Sequence, residues 1–273
     1  VNGERFDRNE RFFGAEGQAK IQATRLAIVG AGGLGSIVAT EAAYLGIRTV
    51  AIIDGDIVTD SSLNRLLGAV PNDATKATSK VAVAERVYRA IRPDADIEPI
   101  PGWLDEPRAR AAIAAADVIV GCLDDDFARL QLTGIASAAR RPLLDLASDI
   151  GDEGRIYGGR VAFAEPGRRC LSCLGVLDPE ELALGGLSAE QRVARDRNYG
   201  VPKGQLDVVG ASVVTINGVV ASLGMTELMV LLTGIRSPRI TLTYLGHTGA
   251  VLPRTDEPTN PCYYCGRTTE SDD

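Results

Sequence analysis

With 273 residues, 45% of them apolar and 24% charged, the chain has the composition of a globular protein large enough for one α/β domain, alone or with a smaller attachment. A formal charge of −7 and a pI near 5 argue against a general nucleic-acid binder, which carries a basic face, but leave room for local Arg and Lys around a phosphate. The opening VNGERFDRNERFFG has no apolar core and no small-residue cleavage site, so no secretion signal is read there and the expected location is the cytoplasm.

In chain order, RLAIVG is a short apolar run ending at glycine, as a buried parallel strand would. AGGLGSIVATEAAYLG follows as a helix closed by Gly46, then IRTVAIID as a second strand ending in an acid. ATKATSKVAVAERVYRAI is predicted as one helix stopping before Pro93, which places Lys76 and Lys80 one turn apart. ADIEPI, ADVIVGC and RPLLDLA supply further strands, with EPRARAAIAAA and DDFARLQLTGIASAAR as helices between them. This alternation implies a doubly wound, Rossmann-like parallel sheet. After residue 150 the pattern changes. RIYGGRVAFAE reads as an antiparallel strand, and Leu174 to Asp207 is polar, charged and partly helical. Val208 to Thr233 approaches the length of a membrane span, but Asn217, Glu227 and its small residues favour a buried helix on a sheet or a subunit partner. RITLTYLGHTGAVLP then forms a strand pair around a glycine turn, and RTTESDD is a solvated tail. The expected organisation is an N-terminal helical arm (1–25), a nucleotide-binding core (26–150), and a crossover loop, dimer helix and C-terminal antiparallel extension of the same domain (151–273).

Gly30, Gly32 and Gly35 match G-x-G-x-x-G between a strand and a helix, and Asp54 ends the next strand at the distance expected of a ribose contact. The turn brings backbone amides to a phosphate at a helix N-terminus. It does not by itself separate NAD from ATP, and it is also compatible with a plain strand–helix turn. No G-x-x-x-x-G-K-[ST] sequence occurs. The tie is broken downstream: IIDGDIVTDSSLNRLLG gathers Asp54, Asp56, Asn64 and Arg65, KATSK supplies Lys76 and Lys80, and GCLDDDFAR puts Asp124 at a strand end. Hydride transfer needs no such set of cations and carboxylates. A triphosphate does, with Arg and Lys on its oxygens and an Asp holding Mg²⁺. ATP is preferred over NAD.

These pieces in this order resemble the ThiF/MoeB/HesA family, relatives of the ubiquitin-activating enzymes, over roughly Arg5 to Cys265. The resemblance implies a doubly wound nucleotide-binding domain in a homodimer or pseudo-dimer. It further implies an adenylyltransferase that activates the C-terminal carboxylate of a ubiquitin-like or sulfur-carrier protein, or a peptide, as an acyl-adenylate with release of pyrophosphate. By the same resemblance, Gly30, Gly32, Gly33 and Gly35 cradle the nucleotide, Asp54 binds the ribose with Asp56 beside it, and Asn64, Arg65 and Lys80 contact the phosphates. Asp124 ligates Mg²⁺, and Arg8 reaches into the partner subunit's ATP site. Leu66 stands where many relatives carry Gln. Arg8, Arg65, Lys80 and the ion offset the repulsion between the attacking carboxylate and ATP; a carboxylate needs no general base, which suits a chain with one histidine, His247, read as a turn residue. Asp125 and Asp126 read as helix N-terminal acids.

Four of the five cysteines form two C-x-x-C pairs, Cys170/Cys173 and Cys262/Cys265, the spacing with which four thiolates close a structural zinc site. Cys122 lies in an apolar strand and reads as a small hydrophobe. Some members of the family use a crossover-loop cysteine for a thioester or persulfide. Leu174 to Asp207 contains none, and no rhodanese-like extension is read after Cys265, so adenylation without a covalent thioester is expected, with a separate acceptor. That loop is read equally as a cover over the site and as a surface excursion. An NAD-dependent oxidoreductase and a non-catalytic, zinc-stabilised module that binds a ubiquitin-like partner are the alternatives. Substrate, acceptor and pathway stay open.

Overall fold

Short β-branched runs ending at glycine or an acid fold as strands here, and the Ala- and Leu-rich runs between them cover the sheet as helices. The computed structural model describes residues 4–151, 154–187 and 211–266. Its strands are β1 (Arg25–Val29), β2 (Thr49–Ile53), β3 (Asp96–Ile100), β4 (Val118–Gly121), β5 (Leu143–Gly151), β6 (Ile156–Ala164), β7 (Thr241–Leu245) and β8 (Ala250–Arg254). The helices are α1 (Asp7–Ala23), α2 (Gly33–Leu45), α3 (Pro71–Thr75), α4 (Lys80–Ile91), α5 (Pro107–Ala115), α6 (Asp126–Ala138), α7 (Pro179–Gly185) and α8 (Val214–Thr233). All eight strands form one sheet in the order β3-β2-β1-β4-β5-β6-β7-β8. The pairings from β3 to β5 are parallel, and those from β5 to β8 antiparallel.

Neighbouring strand residues point into different layers, as period two requires. Ile28, Ile52 and Leu144 enter the core beneath α2, α4 and α8. Val29, Ile53 and Leu143 enter the core beneath α5 and α6, with Leu171 and Leu174. From β1 the chain winds outward to β2 and β3, then returns to place β4 on the other side of β1. That reversal opens a crevice at the carboxyl ends of β1 and β4, where doubly wound sheets take ligands.

α8 is long and apolar enough to cross a membrane by composition alone. It packs instead on α1, α2, β5 and β6, and its polar Asn217 and Glu227 are both buried. Glu227 accepts two hydrogen bonds from Arg236 and one from the Arg239 amide. This agrees with the buried helix expected from the sequence; residues 208–210 of the expected span lie outside the described residues.

The helix predicted over Ala74–Ile91 is two helices. α3 stops at Thr75, Ala77 takes φ +50°, and Ile57 pairs with Ser79 in a β-bridge. Ser79 then caps α4, its Oγ accepting from the Ala82 amide. Lys76 and Lys80 are therefore not one turn apart on a common face: Lys76 is exposed at the end of α3, and Lys80 opens α4. β5 also runs four residues beyond the strand read as RPLLDLA, because β6 pairs with it to Gly151.

Candidate active site and metal centre

The glycine turn is dictated by contact. Gly30 takes φ +93°, a conformation that side chains resist, and its N–H donates to the Ile53 carbonyl at 2.8 Å. A Cβ at Gly30 would meet the Cys122 carbonyl oxygen at 2.5 Å, and one at Gly35 would meet the Gly30 carbonyl oxygen at 1.8 Å. α2 therefore starts hard against β1, and its first amides, which lack intrahelical partners, open into the crevice with the positive end of the helix dipole. A Cβ at Gly32 would stand in open space.

Asp54 is tied to that turn. Its Oδ2 accepts from the Ala31 amide at 2.6 Å and its Oδ1 from the Asp56 amide at 2.8 Å. Burial pushes the Asp54 carboxyl above its ordinary range, opposed mainly by the nearby Lys80 charge. Asp56 holds Lys80 at both ends of the lysine: the Asp56 carbonyl accepts from the Lys80 amide at 3.0 Å, and its carboxylate meets Nζ at 2.6 Å. Between the two acids, Gly55 leaves room for the indole of Trp103, which a Cβ there would strike; Trp103 is 58% exposed. The Trp103 amide donates to Glu106 at 2.9 Å, anchoring that loop to the start of α5.

Asn64 and Arg65 come from the loop after the 3-10 turn at Asp60–Ser62. The Arg65 guanidinium donates to the Ser61 carbonyl and to Asn64 Oδ1, and its aliphatic stem would lie 3.4 Å from a Cβ on Gly33. Ser36, in the first turn of α2, accepts from the Leu67 amide at 3.0 Å and ties this loop to the helix. Leu66 is buried with Val58 and Val83, an apolar seat that suits Leu. Asn217 reaches the same place from α8: its amide would collide with a Cβ on Gly33, its Oδ1 accepts from Ser148 at 2.7 Å, and its Nδ2 donates to Ser212 at 3.1 Å.

Asp124 is exposed just beyond β4, two residues from the Cys122 carbonyl that touches Gly30. Asp125 caps α6, accepting from the Ala128 amide at 2.6 Å, as expected of a helix N-terminal acid. Asp126 is more than that. It is buried, pairs with Arg129, and accepts from the Asp178 amide at 2.6 Å. Behind it lie Asp145 on β5, wholly buried, and Arg160 on β6, their side chains 2.6 Å apart. A dipole reading alone missed this because the partners are local only for Arg129.

The turn, Asp54, Asp56, Asn64, Arg65, Lys80 and Asp124 thus come from the three stretches that follow β1, β2 and β4 at the carboxyl edge of the sheet. Arg8 does not join them within this chain. It is exposed on α1, whose preceding Phe6 packs on Gly46, at the end of α2 about 20 Å from the glycine turn. His247 lies in the exposed β7–β8 turn. Cys122 is buried in the core, and burial, with Asp145 adding to it, pushes its thiol up, so it is no nucleophile. In the sequence Asn217 argues only against a membrane span, although a polar side chain inside an apolar helix is itself a signal. Trp103, Arg129, Asp145 and Arg160 were not singled out.

The four paired cysteines converge, with their sulfurs within 4.8 Å of one another and Cys170 and Cys262 at 3.6 Å. Tetrahedral zinc–thiolate bonds place sulfurs about 3.8 Å apart, so the set fits a closed metal centre. It joins the turn after β6 to the segment after β8, and Arg168 and Arg169 reinforce the junction by pairing with Glu257.

Fold and site together define a doubly wound α/β domain with a nucleotide-type glycine turn, cationic side chains beside it, and a four-cysteine centre stapling its C-terminal strands. The chain belongs to the ThiF family, which it matches over residues 6–250. It is 32% identical over 203 residues to a molybdopterin-synthase adenylyltransferase of Escherichia coli (strain K12), covering 70% of this chain and 80% of that protein. It is 26% identical over 207 residues to the sulfur carrier protein ThiS adenylyltransferase of the same strain, covering 70% of this chain and 79% of the relative. Among solved structures, E. coli MccB with ATP superposes with a TM-score of 0.75 at 18% identity, covering 97% of this chain and 75% of MccB, a likeness of fold.

Proposed function

We propose that the chain is an ATP-dependent adenylyltransferase that converts the C-terminal carboxylate of a ubiquitin-like or sulfur-carrier protein, or a peptide, into an acyl-adenylate and releases pyrophosphate. What supports this reading is that Arg65 lies against Gly33 of the turn, Lys80 pairs with Asp56 beside the turn-bonded Asp54, and Asp124 follows the Cys122 carbonyl that touches Gly30. In the reaction a carboxylate oxygen attacks the α-phosphorus, and the bond to the bridging oxygen of pyrophosphate breaks. Two anions must meet, and charge builds on the leaving group. The amides of α2 and the side chains of Asn64, Arg65 and Lys80 hold the phosphates. Asp54 accepts from the ribose hydroxyls, with Asp56 setting Lys80 from behind. Asp124 binds Mg²⁺, which neutralises phosphate charge when bound. No residue is needed as a general base.

The four cysteines hold zinc as a structural ion, since four thiolates leave no open position. The working unit is a cytoplasmic homodimer in which Arg8 serves the partner's site; its exposure on α1 leaves it free of this chain's own crevice. Residues 174–207 carry no cysteine, so no thiol of that loop takes up the adenylate. The stretch 188–207, part of the loop read as a cover or a surface excursion, lies outside the described residues.

ATP–pyrophosphate exchange tests the reading. It should appear only when the carboxylate partner is added and vanish in Arg65→Ala and in Asp124→Ala. Wild-type exchange in either variant rejects the assignment of the site. Thermal protection by NAD with none from Mg-ATP would return the reading to an oxidoreductase, and partner binding without any adenylate would make the chain a binding module.

A further inference from the structure

The peptide plane leading into Asp124 is held from below by a cluster of four charges that neither the glycine turn nor the phosphate contacts involve. Arg129, on the first turn of α6, donates Nη2 to the Leu123 carbonyl. Because that carbonyl belongs to the Leu123–Asp124 peptide, which is planar, fixing it fixes the direction in which Asp124 leaves the strand. Arg129 is in turn gripped by Asp126 through Nη1 and faces Asp145, with Nε 3.6 Å from Oδ1. Asp145 sits in register with Gly121, the last residue of β4, and hands its other oxygen to Arg160. Arg160 closes the ring at 3.9 Å from Asp126.

This cluster is a poor device for stability. Asp145 is 0% exposed, and both Arg129 Nε and Asp145 Oδ1 lack a hydrogen bond despite their proximity. Desolvating two ion pairs costs several kcal/mol per ion, and apolar replacements of buried pairs are often neutral or stabilising. What the charges supply that an apolar core cannot is a fixed, directional grip on a carbonyl at the rim of the crevice.

We propose that Arg129, oriented by Asp126 and Asp145, is the positioning residue that sets Asp124 for the divalent ion on the triphosphate. This rests on the adenylyltransferase reading and goes beyond it by assigning a supporting layer under the metal ligand. Groups in that layer typically change metal affinity 10–100-fold when altered, while the nucleotide's other contacts stay intact.

The test uses the full chain and reads metal binding as well as turnover. Mn²⁺ binding to the protein–ATP complex is followed by electron paramagnetic resonance, beside ATP binding in EDTA by equilibrium dialysis. The variants are Arg129→Lys, Asp145→Asn, and the charge-balanced pair Asp145→Asn/Arg160→Gln, which guards against misfolding from an unpaired buried Arg. Metal-free ATP affinity should stay within about twofold of wild type while Mn²⁺ affinity falls about tenfold or more, with kcat for exchange falling and KM for ATP little changed. Wild-type Mn²⁺ affinity in a variant that melts cooperatively overturns the proposal, as does an equal loss of metal-free ATP binding. A wild-type chain that binds ATP neither with nor without metal overturns the adenylyltransferase reading, and this proposal with it.

Discussion

Two glycines of the same turn should answer to one added methyl in opposite ways. At Gly35 the methyl would lie 1.8 Å from the Gly30 carbonyl oxygen, and real Cβ contacts essentially never fall below 3.0 Å. The difference requires α2 to retreat from β1 by at least 1.2 Å, and the obstacle is backbone, which has no rotamer to yield. Overpacking of this kind costs about 1–3 kcal/mol, and a rigid partner places Gly35→Ala at or above the upper end. The same retreat moves the α2 amides relative to any bound phosphate, and a displacement of that size is worth about 100-fold in rate. At Gly32 the methyl meets nothing within 4 Å. Gly32→Ala should keep its unfolding free energy within about 1 kcal/mol of wild type, yet weaken ATP at least tenfold, because the methyl occupies the approach to the turn. Urea unfolding gives the first quantity and ATP titration the second. The reasoning fails if Gly35→Ala keeps the wild-type midpoint, or if Gly32→Ala unfolds early and still binds ATP normally.

Lys80→Met should raise the ATP Kd about 10–100-fold: a charge near 4 Å is worth about 4 kcal/mol at partly buried sites, less what the lysine surrenders in leaving Asp56. Calorimetry with Lys80→Met and Asp56→Asn separates the two terms, since Asp56→Asn should leave the lysine charge available. Metal analysis should find one zinc per chain, and its removal by a chelator should lower the thermal midpoint by ~10 °C, since the ion joins segments ninety residues apart; an unchanged midpoint at full metal loss counts against a structural role. The bidentate contact from Arg86 holds the Asp73 carboxyl down to about 2, below its unfolded value, so the stability it contributes is present above about pH 4 and is lost as pH falls toward 2. Asp73→Asn should therefore cost about 1–2 kcal/mol at neutral pH, allowing for the half-exposed Arg86, and progressively less in acid. A pH-independent difference in urea midpoints would contradict the pairing.

The parts of the molecule built from neighbouring residues are legible in the sequence. RLAIVG, the glycine turn and the acid ending β2 carry strand, turn and helix signals within thirty residues, and RITLTYLGHTGAVLP spells a hairpin. The four-cysteine centre was legible as spacing although its halves lie far apart, because few chemistries need that pattern. The break at Ala77–Ser79 was not legible. Nothing in ATKATSKVAV forbids a continuous helix, and what ends it is a bridge from Ile57, twenty-two residues away. Asp145, inside RPLLDLA, carries no signal of its own, because its burial depends on Arg160 arriving from the next strand. Asn217 showed itself as polar, but its position over Gly33 depends on α8 crossing α2, which no local pattern encodes.

The chain has one tryptophan, and its ring lies on Gly55 between the acid bonded to the turn and the acid bonded to Lys80. Ultraviolet emission excited at the red edge of the protein band therefore comes from a single point at the mouth of the crevice, with no second indole to dilute it. Any molecule that settles there changes the water around that ring, so occupancy can be followed by brightness and colour in an unlabelled sample.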